Sequence, residues 1–264
     1  MKNTSTDRVA IEEGVAVGTG GGRQLRADVF TPPAGASNGI GVLLVHGGGW
    51  RSGDRTQLRG YGILLGRVGF TSVACEYRLT DEATWPAQIE DVRTAFRWTR
   101  EHAKDLDIDA NSVAVSGNSA GAHLSLMLAG MPDDQRDVAA CVAIYGPAVV
   151  GLREGVEHPE SDRVAALFVS ADPGVRKEAS PLTYASASYP PTMLIHGTQD
   201  ELVPVESSER MYRALRDAGA KAELHIFDGQ MHAFDRAPDY GRLCANMITV
   251  FLKHHVVTSS GGAK

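Results

Sequence analysis

A chain of 264 residues with 43% hydrophobic and 22% charged side chains has an ordinary globular make-up. That excludes a disordered chain, a coiled coil and a collagen-like fibre. Lys and Arg number 26 against 32 Asp and Glu, a net charge of −6 with no basic run, which argues against nucleic-acid binding.

The length fits one large α/β domain or two smaller ones, and a core of this size needs no disulfide or metal to hold it. No stretch approaches the ~18 consecutive apolar residues of a membrane span. Met1 to Arg8 is polar and lacks an apolar signal core. The three cysteines, Cys75, Cys141 and Cys244, lie far apart and form no CxxC pair. The expectation is a cytoplasmic protein without disulfides or a zinc site.

In chain order, Val9–Val17 and Gln24–Phe30 flank the segment GTGGGR and read as a β-hairpin. Ile40–Val45 is a continuous apolar run, the mark of a strand buried on both faces. Thr56–Val68 has helical spacing, and Phe70–Glu76 reads as a strand. Pro86–His102 is an amphipathic helix with Pro first, acids early and bases late, which suits the helix dipole. Val113–Ser116 is a buried strand, Ser119–Gly130 an apolar helix, and Val138–Tyr145 another strand. Further on come strand Thr192–His196, helix Pro204–Ala218, strand Ala222–Phe227 and a closing helix Tyr240–His254. After the hairpin, the alternation of strands and helices predicts a doubly wound, mostly parallel sheet in a single domain spanning residues 1–264. Pro147–Pro191 breaks the rhythm and is too long for a bare loop, so it reads as short helices forming a cap-like insertion over the ligand edge. Thr258–Lys264 reads as a frayed tail.

The chemistry gathers at the ends of the expected strands. Gly117-Asn118-Ser119-Ala120-Gly121 fits G-x-S-x-G between a strand and a helix. In that setting the serine sits on a strained turn with its hydroxyl exposed, while the glycines let strand and helix approach. His46-Gly47-Gly48-Gly49-Trp50 follows strand Ile40–Val45. Bare backbone N–H groups there can hold a developing oxyanion. No Lys-Ser/Thr follows, so it is no P-loop, and it does not open a helix as a dinucleotide site would.

A nucleophilic serine needs a base and a group to orient it. Asp200 lies just past strand Thr192–His196, and His232 follows strand Ala222–Phe227. Taken alone, Asp200 reads as a cap of the following helix and His232 as a solvated loop residue. Together, in the order Ser, Asp, His on the carboxyl rim of the sheet, they read as a triad.

Other features carry less. His123 reads as a packing residue, His196 as a structural residue at a strand end, and His46 as a support for the glycine loop. His225 belongs to a sheet face, and His254-His255 to an exposed helix face. Asp105-Leu-Asp107-Ile-Asp109 lacks the glycine and glutamate of a calcium loop. Asn3-Thr4-Ser5 fits a glycosylation acceptor but lies in a polar tail. Trp50, Tyr145, Phe168, Met231 and Phe234 adjoin the rim and are candidates for lining a substrate pocket, with ordinary core as the competing reading.

HGGGW, GNSAG, HGTQD and GQMHAF, in this order, resemble the α/β-hydrolase superfamily. Within it, the chain is most similar to the hormone-sensitive-lipase-like bacterial carboxylesterases and the small esterase and arylformamidase relatives. Glu76-Tyr77-Arg78-Leu79 and the segment from Trp85-Pro86 to Asp91 also resemble that group. The resemblance implies Ser119 as nucleophile, Asp200 and His232 completing the triad, and Gly48, Gly49 and Ala120 as oxyanion donors. It implies a two-step acyl transfer on small-molecule esters, with no metal or organic cofactor, and loss of activity at acid pH as His232 is protonated. One departure stands out: the hairpin starts near residue 9, leaving no room before it for the group's N-terminal helical cap. Any cap must therefore come from Pro147–Pro191. Short-chain esters are the expected substrates. Amide or formamide cleavage on the same triad, and a non-catalytic binding protein on this scaffold, are the alternatives. The oligomeric state is open, a homodimer included.

Overall fold

A computed structural model describes residues 8–132, 137–151 and 159–256, with the side chains of 159–163 excepted. The polar N-terminus through residue 7, the glycosylation-like Asn3-Thr4-Ser5, part of the 147–191 insertion and the expected tail at 258–264 lie outside the described residues.

The strands are β1 (Ala10–Gly20), β2 (Arg23–Thr31), β3 (Gly39–Val45), β4 (Thr71–Cys75), β5 (Ile108–Asn118), β6 (Cys141–Ile144), β7 (Thr192–Gly197) and β8 (Ala222–Phe227). The helices are α1 (Arg59–Gly66), α2 (Ala87–Glu101), α3 (Ala120–Gly130), α4 (Pro159–Phe168), α5 (Pro173–Glu178), α6 (Glu206–Asp217) and α7 (Pro238–His255). Short 3-10 turns precede α1, follow α5 and precede α7. The strands form one sheet in the order β1-β2-β4-β3-β5-β6-β7-β8. β1, β2 and β4 pair antiparallel, and β4 through β8 run parallel.

The central strands are apolar on both faces because helices cover both. Leu43, Val45, Val73, Val115 and Ala143 point to one side, where they pack with Ile89, Val92 and Phe96 of α2, Leu124 of α3 and Met211 of α6. The alternate residues Val42, Leu44, Ala114 and Val142 point to the other, against Tyr61 and Leu65 of α1 and Ile248 and Leu252 of α7. That period of two explains why continuous apolar runs made good strands here. The order in which strands are added reverses about β3: β4 lies on one side of it and β5 on the other. The crevice at such a switch, beyond the carboxyl ends of the strands, is where open α/β sheets bind ligands.

The element edges differ from the sequence reading in physically simple ways. β1 extends to Gly20, confining the hairpin turn to Gly21 and Gly22. β5 begins at Ile108 because Gly39 of β3 offers it a partner beyond the apolar run. Pro86 stands outside its helix as the cap.

Candidate functional site

Ser119 joins β5 to α3 with φ 53° and ψ −120°. A non-glycine residue there stores about 1–3 kcal/mol of strain, so its surroundings must hold it. The Ser119 N–H donates to Ile144 O at 2.9 Å, and its own carbonyl accepts from the His123 N–H at 3.0 Å. The flanking glycines explain themselves by contact. A Cβ on Gly121 would lie 2.0 Å from the Val45 carbonyl oxygen, and one on Gly117 would lie 2.4 Å from the Gly121 backbone. Strand and helix meet at this turn with no room for a methyl group.

The structure brings Ser119, His232 and Asp200 together across long stretches of chain. Ser119 Oγ lies 2.9 Å from His232 Nε2. His232 Nδ1 lies 2.7 Å from Asp200 Oδ2. The carboxylate is acceptor-only, so Nδ1 carries the proton and Nε2 is left to accept from the serine hydroxyl.

Asp200 is tightly held. Its Oδ1 accepts the N–H groups of Leu202 and Val203 at 3.0 and 2.8 Å. Burial alone would push its pKa up. Hydrogen bonds from His196 and His232, the His232 charge and the Val203 N–H outweigh burial and bring the pKa down to about 2. His196 therefore does more than end a strand. Its Nε2 lies 3.3 Å from Asp200 Oδ2 and 2.8 Å from Val203 O, and its Nδ1 lies 2.7 Å from Ser208 Oγ. The Gln199 N–H donates to Gln230 O at 2.9 Å, pinning the Asp200 loop to the His232 loop.

Gly48 and Gly49 follow β3, and Ala120 opens α3. Among the described residues, none of their N–H groups has a backbone acceptor, and all three residues line the cavity that contains Ser119. His46 supports the loop from below. Its Nδ1–H donates to Gly47 O at 2.8 Å, and its ring stacks on Tyr77 at 4.2 Å between centroids. Burial brings its pKa down to about 4, so it stays neutral.

The cavity has a volume of about 350 Å³. Trp50 and Tyr145 line it. Phe168, Met231 and Phe234, the other expected lining residues, do not. Phe168 is fully buried and stacks on Trp50, 4.1 Å between ring centroids. Phe234 packs beneath Tyr145 in the core. Met231 is 67% exposed, turned away on the surface. His123 is a packing residue, edge-on to Trp50, with Nε2–H donating to Ala179 O at 2.7 Å.

Sequence reasoning also missed a buried network behind His232. Tyr145, at φ 43°, sets its ring edge-on to the His232 imidazole at 4.7 Å. Its hydroxyl donates to Asp235 Oδ1 and accepts from Asn118 Nδ2. Tyr61 of α1 donates to the other Asp235 oxygen at 2.9 Å. Burial, then the Asp235 charge, pushes both phenols well above their ordinary range, so both stay protonated donors. The other lining residues that sequence reasoning missed include Arg51, Gln57, Val150, Leu202 and Arg236.

With this geometry in place, likeness to known proteins becomes informative. Esterase LipQ of Mycobacterium tuberculosis is 30% identical over 252 residues, 88% of this chain and 60% of LipQ. Esterase LipC of the same organism is 32% identical over 231 residues, 80% of this chain and 55% of LipC. The chain thus spans little more than half the length of these relatives. Among solved structures, a thermophilic esterase from the Planctomycetes species Thermogutta terrifontis, Est2, superposes with a TM-score of 0.81 at 23% identity, over 98% of this chain and 96% of that one. At that identity the match speaks for the fold alone, and the eight-stranded, mostly parallel sheet is an α/β-hydrolase fold. The BD-FAE family model aligns with residues 27–215, from the second strand of the hairpin through the nucleophile turn to α6. Over most of its length, elbow and glycine loop included, the chain belongs to the BD-FAE family.

Proposed function

We propose that the protein is a serine hydrolase that cleaves short-chain carboxylic esters through an acyl-enzyme. One observation carries this: the unbroken hydrogen-bonded line Ser119 Oγ to His232 Nε2 and His232 Nδ1 to Asp200, opening into a cavity of about 350 Å³. In the first step Ser119 Oγ attacks the ester carbonyl carbon while His232 Nε2 takes its proton. Gly48, Gly49 and Ala120 turn their N–H groups to the oxyanion. His232 then protonates the leaving alcohol and afterwards activates the water that releases the acid. Asp200 fixes the imidazole tautomer and stabilises its cation, and its pKa of about 2 keeps it ionised throughout.

The cavity volume, at the small end for ligand sites, supports short acyl chains. Among the described residues of the insertion, Pro147, Val149, Val150, Gly151, Val164 and Ala165 contribute to the lining, which supports its reading as a cap. Among the described residues no helix is long and apolar enough to cross a membrane. Cys75, Cys141 and Cys244 are free and buried, which supports a reducing, cytoplasmic setting. The test is initial rates on p-nitrophenyl esters from acetate to decanoate, beside Ser119→Ala. Turnover should peak at short chains and fall by ~10³ or more in the variant. Esters left intact while N-formyl anilides are cleaved would move the reading to amide hydrolysis. An optimum at octanoate or longer would overturn the short-chain assignment.

A further inference from the structure

The charges around the cavity are one-sided. Among the described lining residues, Arg51 and Arg236 are the permanently charged ones, and none of the described ones is Asp or Glu. That is unexpected in a chain where acids outnumber bases by 32 to 26. It is also unlike the other arginines nearby. Arg55, four residues past Arg51, is paired to Asp28 at 2.7 Å and to Glu76 at 3.4 Å. Arg78 is paired to Asp91 at 2.8 Å. Among the described residues, neither the Arg51 nor the Arg236 guanidinium has a hydrogen-bond or ion-pair partner.

The two arginines come from segments that the fold ties together. Arg51 belongs to the glycine loop, which leads into the helical turn Arg55–Leu58 and then α1. Tyr61 of α1 donates to Asp235, the residue before Arg236. Gln57, on that helical turn, also lines the cavity. In contrast, the part of the lining from Val149, Val150, Val164, Leu202, Val203 and Pro204 is apolar. The cavity is therefore amphipathic, with Ser119 and His232 in its wall.

We infer that the substrate is an ester bearing a second group, a carboxylate, that Arg51 and Arg236 hold while its apolar part faces Val149, Val150 and Val164. This rests on the ester-hydrolase reading and narrows its substrate class. A guanidinium is the side chain best shaped for a carboxylate, through paired N–H donors in a plane. Two of them lining one cavity also draw anions in from solution against the negative charge of the whole chain.

The test uses two matched ester pairs near pH ~7.5, where the carboxylates are ionised. Monoethyl glutarate against ethyl valerate puts the charge in the acyl part. 4-(Butyryloxy)benzoate against its methyl ester puts it in the leaving alcohol. The readout is the ratio of kcat/KM, anionic over neutral, within each pair. In one pair the ratio should be ~10 or more at low salt. It should shrink severalfold between about 20 and 300 mM NaCl. It should fall to about one in the double variant Arg51→Gln, Arg236→Gln. Because each ratio is internal to one protein sample, partial misfolding of the variant cancels. The pair that responds identifies which side of the ester carries the charge. Ratios of one or below in both pairs, or a preference that survives the double variant, overturn the inference. In that case Ser119-dependent hydrolysis of the neutral esters leaves the hydrolase reading standing. No hydrolysis of any of the four esters overturns both.

Discussion

Lowering the pH should destabilise the fold before it strips the triad of its carboxylate, and two buried histidines set the size of the effect. His46 and His123 each use one ring nitrogen, donating to Gly47 O and Ala179 O. Among the described residues the other nitrogen, His46 Nε2 or His123 Nδ1, is buried without a partner. A second proton would have to sit at that atom, away from water and from any acceptor. Burial accordingly brings both pKa values from 6.5 to about 4. Between about pH 4 and pH 6.5 the unfolded chain thus binds more protons than the native one, and stability falls as pH falls. At about pH 5 each histidine costs about 2 kcal/mol relative to pH 7.5, or about 4 kcal/mol together. For a chain of this length that lowers Tm by about 7 °C. Asp200 has the opposite sign: its stabilising contribution is present above its unfolded pKa of 3.8 and is lost only as pH drops towards 2, outside this window. The assay is thermal denaturation followed by circular dichroism at several pH values from about 7.5 to 5, for the protein and for His46→Gln, His123→Gln and the double variant. Glutamine keeps a donor for the backbone carbonyl and removes the titration. Each single variant should lower the slope of stability against pH by the share of one histidine, whatever its own neutral-pH stability. A slope in the double variant equal to that of the parent would refute the assignment.

Asp200→Asn should leave the fold intact and lower kcat by ~10³–10⁴, because the amide presents the wrong partner to His232 Nδ1; steady-state kinetics on a short p-nitrophenyl ester, with a melt as control, decides it. Gly121→Ala places a methyl 2.0 Å from Val45 O and should cost more than ~3 kcal/mol, read as lost soluble yield or a collapsed Tm. Trp50→Ala removes a ring stacked on Phe168 and lining the cavity, so it should cost about 3–5 kcal/mol and move the acyl-length optimum upwards. A Trp50→Ala enzyme with an unchanged optimum would show that the acyl group lies elsewhere.

The parts of this site that could be read in sequence are those whose physics is local. The elbow needs glycines two residues either side of Ser119, and that spacing survives as a pattern in the chain. Asp200 and His232 could be placed because one follows the buried apolar run Thr192–His196 and the other the alternating strand Ala222–Phe227, and strand ends fix a rim. The pocket walls obey no such local rule. Phe168 adjoins the rim in sequence terms, yet its ring is consumed by Trp50, 118 residues earlier in the chain. Met231 is next to His232, but the chain turns at His232 and Ala233, and Met231 faces solvent. Tyr61 and Asp235 meet across 174 residues, and Tyr145 and Asp235 across 90, with no periodicity to announce either contact. His196 looked like a strand terminus because nothing in the chain shows that the loop after it folds back over its ring.

Those non-local contacts explain why the triad is held ready. Each member is tied at more points than catalysis needs. Ser119 is locked by two backbone hydrogen bonds and by a strand and helix in contact at both glycines. Asp200 divides its oxygens: Oδ1 closes its own loop on two N–H groups, and Oδ2 faces two imidazoles. His232 is held between that oxygen and the edge of Tyr145, which Asn118 and Asp235 fix in turn. Asn118 is the residue before the nucleophile, so the hydrogen bond to Tyr145 links the elbow to the ring that backs the base. The strained turn and the base cannot shift independently. Holding reacting groups at fixed separation replaces an entropic cost at each turnover with one met during folding. The buried Tyr61–Asp235–Tyr145 network is therefore part of how the site keeps its geometry, although none of its members touches the serine.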